Sequence, residues 1–122
     1  MIVTQEINLN IIPGGIKPRI RVSQYDNGTR VLRFVLYRGT EKYTTSGLTA
    51  QIRGTKPDKH GFVYNATYSN GVVTADLTQQ MAAVAGDVEC EIILMESSAN
   101  VLGTANFILE VEKAAVGDET IV

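Results

Sequence analysis

A chain of 122 residues is one domain by length, and at this size a single core can bury roughly two thirds of the unfolded surface. Hydrophobic residues make up 44% and charged residues 20%. The one cysteine, Cys90, excludes an internal disulfide and a cysteine-based metal cage, and no window approaches the ~18 apolar residues of a membrane span.

The start, MIVTQEINLN, has neither a basic opening nor a long apolar run, so no signal peptide is expected. Residues 4–11 alternate weakly through Ile7, Leu9 and Ile11 and predict a first strand, broken by Pro13-Gly14-Gly15. Residues 19–25 predict a second strand with Ile20 and Val22 on one face, and residues 30–37 a third with Leu32, Phe34 and Leu36. Two turns can join these last two as a hairpin. A two-residue Asn27-Gly28 loop sets Val22 against Arg33; a three-residue loop, 26–28, sets Val22 against Leu32 and keeps one apolar face.

Residues 39–47 are polar and loop-like, 48–53 alternate through Leu48, Ala50 and Ile52, and GTKPDKHG at 54–61 is turn chemistry throughout. Phe62, Tyr64, Ala66 and Tyr68 share a strand face. A two-residue Asn70-Gly71 turn then pairs Tyr68 with Val73, Ala66 with Ala75 and Tyr64 with Leu77. Thr78 is a good N-cap, residues 79–85 predict a short helix, and Gly86 sits where a left-handed C-cap wants no Cβ. The period then returns to two. Residues 88–96 pair with 102–111 so that Val88 meets Leu109, Cys90 meets Phe107, Ile92 meets Ala105 and Leu94 meets Gly103.

Seven to eight short strands, regular turns and one helical crossover predict an all-β fold, an immunoglobulin-like antiparallel β-sandwich with the helix (about 79–85) crossing between sheets. One sheet would hold 19–25, 30–37, 72–77 and 62–68; the other would hold 48–53, 88–96 and 102–111. Trp, a second Cys and a Tyr two residues before Cys90 are missing, so the immunoglobulin hallmarks themselves are absent. Residues 1–113 form the expected domain, and 114–122 a linker stub or frayed tail.

No catalytic constellation emerges. His60, the only histidine, sits in a turn beside Asp58 and Lys59 with no nucleophile near it in sequence. Glu89 and Glu91 share a strand face, which serves glycosidases and calcium sites but is also ordinary for an exposed strand. No cofactor or metal site is expected. Charge is lopsided: residues 1–60 carry ten Lys/Arg against four Asp/Glu, and residues 61–122 one Lys against nine Asp/Glu. Arg19, Arg21 and Arg33 mark a basic face, but a nucleic-acid platform interleaves such charges with exposed aromatics. Here Phe34 points inward, so neither nucleic acid nor membrane is an expected partner. In the expected sandwich the basic and acidic strands fall in opposite sheets, giving a bipolar domain with salt-sensitive docking.

The order of motifs resembles the N-terminal immunoglobulin-like domain of siphophage baseplate upper proteins. The likeness is carried by INLN at 7–10, KPRIRVSQYDNGTRVLRFVLY at 17–37, GTKPD at 54–58, LTQQMAAVAGDVECEI at 77–92 and GTANFILEVEK at 103–113. The resemblance implies a non-enzymatic virion module of the phage tail or baseplate, assembled in the bacterial cytoplasm. It would dock a longer receptor-binding chain onto the tail hub, beside other baseplate and tail proteins, with a trimer as the oligomer of the full-length protein. A carbohydrate-binding β-sandwich in host adhesion is the alternative; it would need exposed tyrosines on one flat face.

The hairpin register also fixes an outer face. Glu89 meets Ile108, Glu91 meets Asn106, Ile93 meets Thr104 and Met95 meets Leu102. Ile93, Met95, Leu102 and Ile108, rimmed by Glu89, Glu91 and Glu110, would form a patch on the side away from the core. Either another segment of the chain (4–11 or 39–47) folds over it, or it docks a second protein.

Overall fold

The computed structural model describes residues 3–12, 14, 16–24, 30–97 and 100–113. Nine strands appear among them: β1 (Val3–Asn10), β2 (Arg19–Ser23), β3 (Arg30–Arg38), β4 (Glu41–Lys42), β5 (Thr49–Thr55), β6 (Gly61–Ser69), β7 (Val72–Asp76), β8 (Gly86–Ser97) and β9 (Asn100–Glu112). They run in the order β1-β3-β7-β6-β5-β8-β9-β2, with β4 added to β3. The all-β sandwich is as expected. Strand β6 joins its two layers: Gly61–Ala66 pair with β5, and Thr67–Ser69 pair with β7. Leu9, Leu32, Phe34, Leu36, Ile52, Val73, Val88, Ile92, Phe107 and Leu109 fill the space between the layers, and the rings of Phe34 and Phe107 meet at 4.8 Å.

The registers of the two central hairpins hold. Tyr68 faces Val73 and Thr67 faces Thr74; Asn70 and Gly71 have φ of 49° and 76°, the left-handed pair that a tight Asn-Gly hairpin turn needs. Val88, Cys90, Ile92 and Leu94 face Leu109, Phe107, Ala105 and Gly103. The Ala66–Ala75 and Tyr64–Leu77 pairs do not form. β6 leaves β7 at that point, and Ala66 and Tyr64 pair with Ala50 and Ile52 of β5 instead.

Three further expectations are corrected. No helix forms at 79–85. The Thr78 hydroxyl does accept a bond from the Met81 N–H, at 3.3 Å, but the segment continues as turns. Seven residues are too few to offset the cost of nucleating a helix, and turns let Leu77, Met81 and Ala82 drop into the end of the core. Gly86, expected as a C-cap, opens β8 with a φ of +122°.

Strands β2 and β3 do not form a hairpin. β2 pairs with β9 and β1 with β3, both in parallel, so the sandwich is not wholly antiparallel. Ile20 and Val22 face Leu109 and Val111, while Leu32 and Phe34 face Ala75 and Val73. Charge is one contribution. The three-residue loop, 26–28, would have set Arg21 directly against Arg33, a destabilising like-charge pair. That turn, 26–28, and the tail 114–122 lie outside the described residues.

Candidate functional site

Parallel pairing of β2 with β9 brings the basic and acidic segments together. The Arg19 guanidinium donates to both carboxylate oxygens of Asp87, at 3.0 Å each, and to Glu110 at 2.9 Å. Arg21 Nε reaches Glu110 Oε2 at 3.2 Å and Lys17 Nζ reaches Glu89 Oε2 at 3.1 Å. Arg33 Nε bonds Glu6 at 2.8 Å on the neighbouring strand. The expected basic face of Arg19, Arg21 and Arg33 is therefore divided between two layers and answered by carboxylates. The bipolar surface gives way to mixed signs across β8, β9 and β2. Hydrogen bonding from Arg19 holds the Asp87 carboxyl below its ordinary value, and Asp87 in turn raises Arg19.

The outer face of the β8–β9 hairpin has the expected register, with Glu89, Glu91 and Ile93 facing Ile108, Asn106 and Thr104. Its exposure differs. Ile93 and Met95 are only 3% and 9% exposed, outside the central core cluster, and Ile108 is half-buried. Met95 faces Val101, because an irregularity between Leu94 and Met95 skips Leu102. An extra residue in one strand bends it and leaves that residue unpaired, and Leu102 is 45% exposed with its neighbour Val101 at 56%. The four-residue patch is thus reduced to its tip.

That tip meets the end of β1. Asn10 ties the end of β1 to the turn after β3: its Oδ1 accepts from the N–H groups of Ile12 (2.9 Å) and Gly39 (3.2 Å), and its Nδ2 donates to the Gly39 carbonyl at 2.9 Å. Ile11 lies 3.7 Å from where a Cβ on Gly103 would stand, and Ile12 is 48% exposed. The bond from Asn10 to the N–H two residues on is an Asx turn, a signal present in the sequence and overlooked there.

A shallow groove runs over the outer side of β5, lined among others by Lys17, Arg53, Glu91 and Asn106. Arg53 faces Glu91 across the ladder yet donates to Gln51 Oε1 at 3.1 Å. The one aromatic residue in its lining, Phe62, is buried. Tyr37 and Tyr43 are half-buried and Tyr43 packs on the core, so the described tyrosines form no flat sugar platform; Tyr25 lies outside the described residues. His60 is exposed and its Nδ1 lies 3.1 Å from Asp58 Oδ2. Among the described residues no group of three or more His, Cys, Asp or Glu is placed to hold a metal ion.

A family model, the BppU N-terminal domain, matches residues 2–122. Among solved structures, the N-terminal domain of phage TP901-1 ORF48 superposes with a TM-score of 0.73 at 11% identity, covering 92% of this chain and 100% of that one. At that identity the likeness is one of fold. No curated protein sequence matches the chain.

Proposed function

The chain belongs to the BppU N-terminal domain family, that of the phage baseplate upper protein, and is a structural component of the phage tail or baseplate; we propose that its role there is docking. The domain would fix a longer receptor-binding chain to the tail hub without catalysing a reaction, and the longer chain would carry any trimer contact. Assembly in the bacterial cytoplasm before incorporation into the virion belongs to the same reading.

The observation that carries this reading is the match over nearly the whole chain to a baseplate domain. The surface is compatible with it: charges such as Arg19–Asp87 and Lys17–Glu89 pair with each other, while the apolar side chains of Val3, Ile12, Ile16, Val63, Val101 and Leu102 are exposed at several places on the domain. The outer rim of the β8–β9 hairpin, with Glu89, Glu91, Ile108 and Leu102, belongs to the proposed contact region. The test is to assemble tails without this chain and add the purified domain. Co-sedimentation with those tails is expected. Failure of the folded domain to bind them would end the docking reading.

A further inference from the structure

We infer that the outer edge of β1 is a pairing edge, and that its occupant is the β1 of a second copy of this chain, added antiparallel about a two-fold axis. The inference is separate from the docking reading above, because it is tested on the isolated domain.

β1 ends one side of the sheet order, and all eight of its residues, Val3–Asn10, lie in one unbroken register against β3. The Ile11 N–H donates to the Tyr37 carbonyl of β3. Backbone groups alternate sides along a laddered strand, so the N–H and C=O of Thr4, Glu6 and Asn8 turn to the open side. Native edges are protected by shortness, by Pro, and by Lys or other charges. The opposite edge strand, β2, has these devices: it spans five residues, follows Lys17 and Pro18, and carries Arg19 and Arg21. β1 lacks them. It is longer, has no Pro, Lys or Arg, and its single charge, Glu6, is bonded to Arg33. Its flank is open as well. Val3 and Ile7 belong to the inward-facing set with Leu9, yet Val3 is 42% exposed and Ile7, although packed on the core, is only half-buried.

The residues of β1 select the occupant. An antiparallel copy keeps inward side chains opposite inward ones only where odd positions meet odd and even meet even. Two such registers pair seven residues of each copy. The one centred on Glu6 sets Glu6 against Glu6, a destabilising like-charge pair. The one centred on Ile7 sets Ile7 against Ile7, Gln5 against Leu9, Glu6 against Asn8 and Thr4 against Asn10. There the open backbone groups of Glu6 and Asn8 meet each other, and no two charges face. The contact is self-complementary, as a two-fold interface requires, so one edge serves both copies. The added strand also covers the flank of Ile7 that β3 leaves bare.

The experiment follows the wild-type domain, Asn8→Lys and Asn8→Glu by sedimentation velocity over a concentration series. Asn8 is exposed, and thermal melts confirm that each variant folds. One strand pair is a small contact, so the dimer is expected at high protein concentration. In the Ile7-centred register a lysine at position 8 meets Glu6 and a glutamate there repels it, once on each side of the axis. The Lys variant should therefore dimerise about tenfold more tightly than the Glu variant, with wild type between them. Amide protection at Thr4, Glu6 and Asn8 should rise with wild-type concentration. A wild type that stays monomeric at every concentration overturns the inference. So does a dimer that the two substitutions shift equally, or one that leaves those amides unprotected. Protection of the same amides on tails, with no dimer in solution, would assign the edge to another protein's strand and overturn the second copy as occupant. Binding of the domain to tails decides the docking reading separately.

Discussion

Gln5 on β1 donates from Nε2 to the backbone carbonyl of Arg21 on β2 at 3.1 Å, although the two strands end opposite edges of the sheet order and share no ladder. Its Oε1 accepts from Arg30 Nη1 at 2.9 Å, so one half-buried amide ties β1, β2 and β3 across the seam. We expect Gln5→Leu to keep the shape, to remove both bonds and to lower stability by about 1–2 kcal/mol, each such bond being worth about 0.5–1.5 kcal/mol net. Amide exchange should quicken in β2 before β9, because among the described residues β2 has ladder bonds only on its β9 side. Unchanged protection of β2 would show that the seam holds without Gln5.

The seam was not legible in the sequence, and the reason is particular. Alternation told which residues of 19–25 face inward, since Ile20 and Val22 are buried as expected. It could not tell which neighbour they face, because Leu109–Val111 and Leu32–Phe34 are equally apolar. Adjacency along the chain favoured a hairpin with β3. The cross-strand charges, Arg21 against Arg33 in one arrangement and Arg21 against Glu110 in the other, held the answer. The registers of β8–β9 and of the Asn70-Gly71 turn were legible because apolar and polar faces matched in only one way. Of the proposed contact surface, the outward register could be read, but the loss of exposure at Ile93 and Met95 and the irregularity that frees Leu102 could not.

Glycine positions give a graded test. A Cβ on Gly71 would stand 1.8 Å from the Tyr43 carbonyl oxygen, against backbone, and the φ is +76°. At Gly86 the φ is +122° and the nearest atom is the Pro57 ring at 3.0 Å, which has some room to shift. Left-handed strain alone costs roughly 1–2 kcal/mol. Gly86→Val should therefore destabilise by more than about 1 kcal/mol, and Gly71→Ala by more than a comparable change at Gly86, since backbone overlap is added. Denaturant midpoints measure both; equal midpoints for the Gly71 variant and wild type would mean the Tyr43 segment moves freely.

Acid should loosen the β2 contact. The Asp87 carboxyl is held below its ordinary value by the Arg19 hydrogen bond, so its folded value lies under its unfolded one. Its contribution is complete above the unfolded carboxyl value and is lost as pH falls through the folded one. The stability difference between wild type and Asp87→Asn should accordingly be constant near neutral pH and shrink toward zero in acid. Melts of the two proteins across the acid range provide the measurement. A difference that grew on acidification would contradict the assigned ion pair.

Cys90 carries the opposite sign. It lies on the inner face of β8 with Sγ 3.1 Å from where a Cβ on Gly54 would stand, and burial pushes its thiol up to about 12. The neutral form is the one the core accepts, so the native protein should resist a thiol reagent such as dithionitrobenzoate at mildly alkaline pH and react fully once unfolded. The linkage follows from the same shift. A folded value above the unfolded one, about 8.5 for a free thiol, leaves the contribution intact below that pH and removes it progressively as pH rises toward the folded value. The stability of wild type relative to Cys90→Ala should hold steady at neutral pH and decline in the alkaline range. Rapid labelling of the native protein, at a rate faster than its unfolding, would place the thiol at the surface and break the inner-face assignment of Cys90 opposite Phe107.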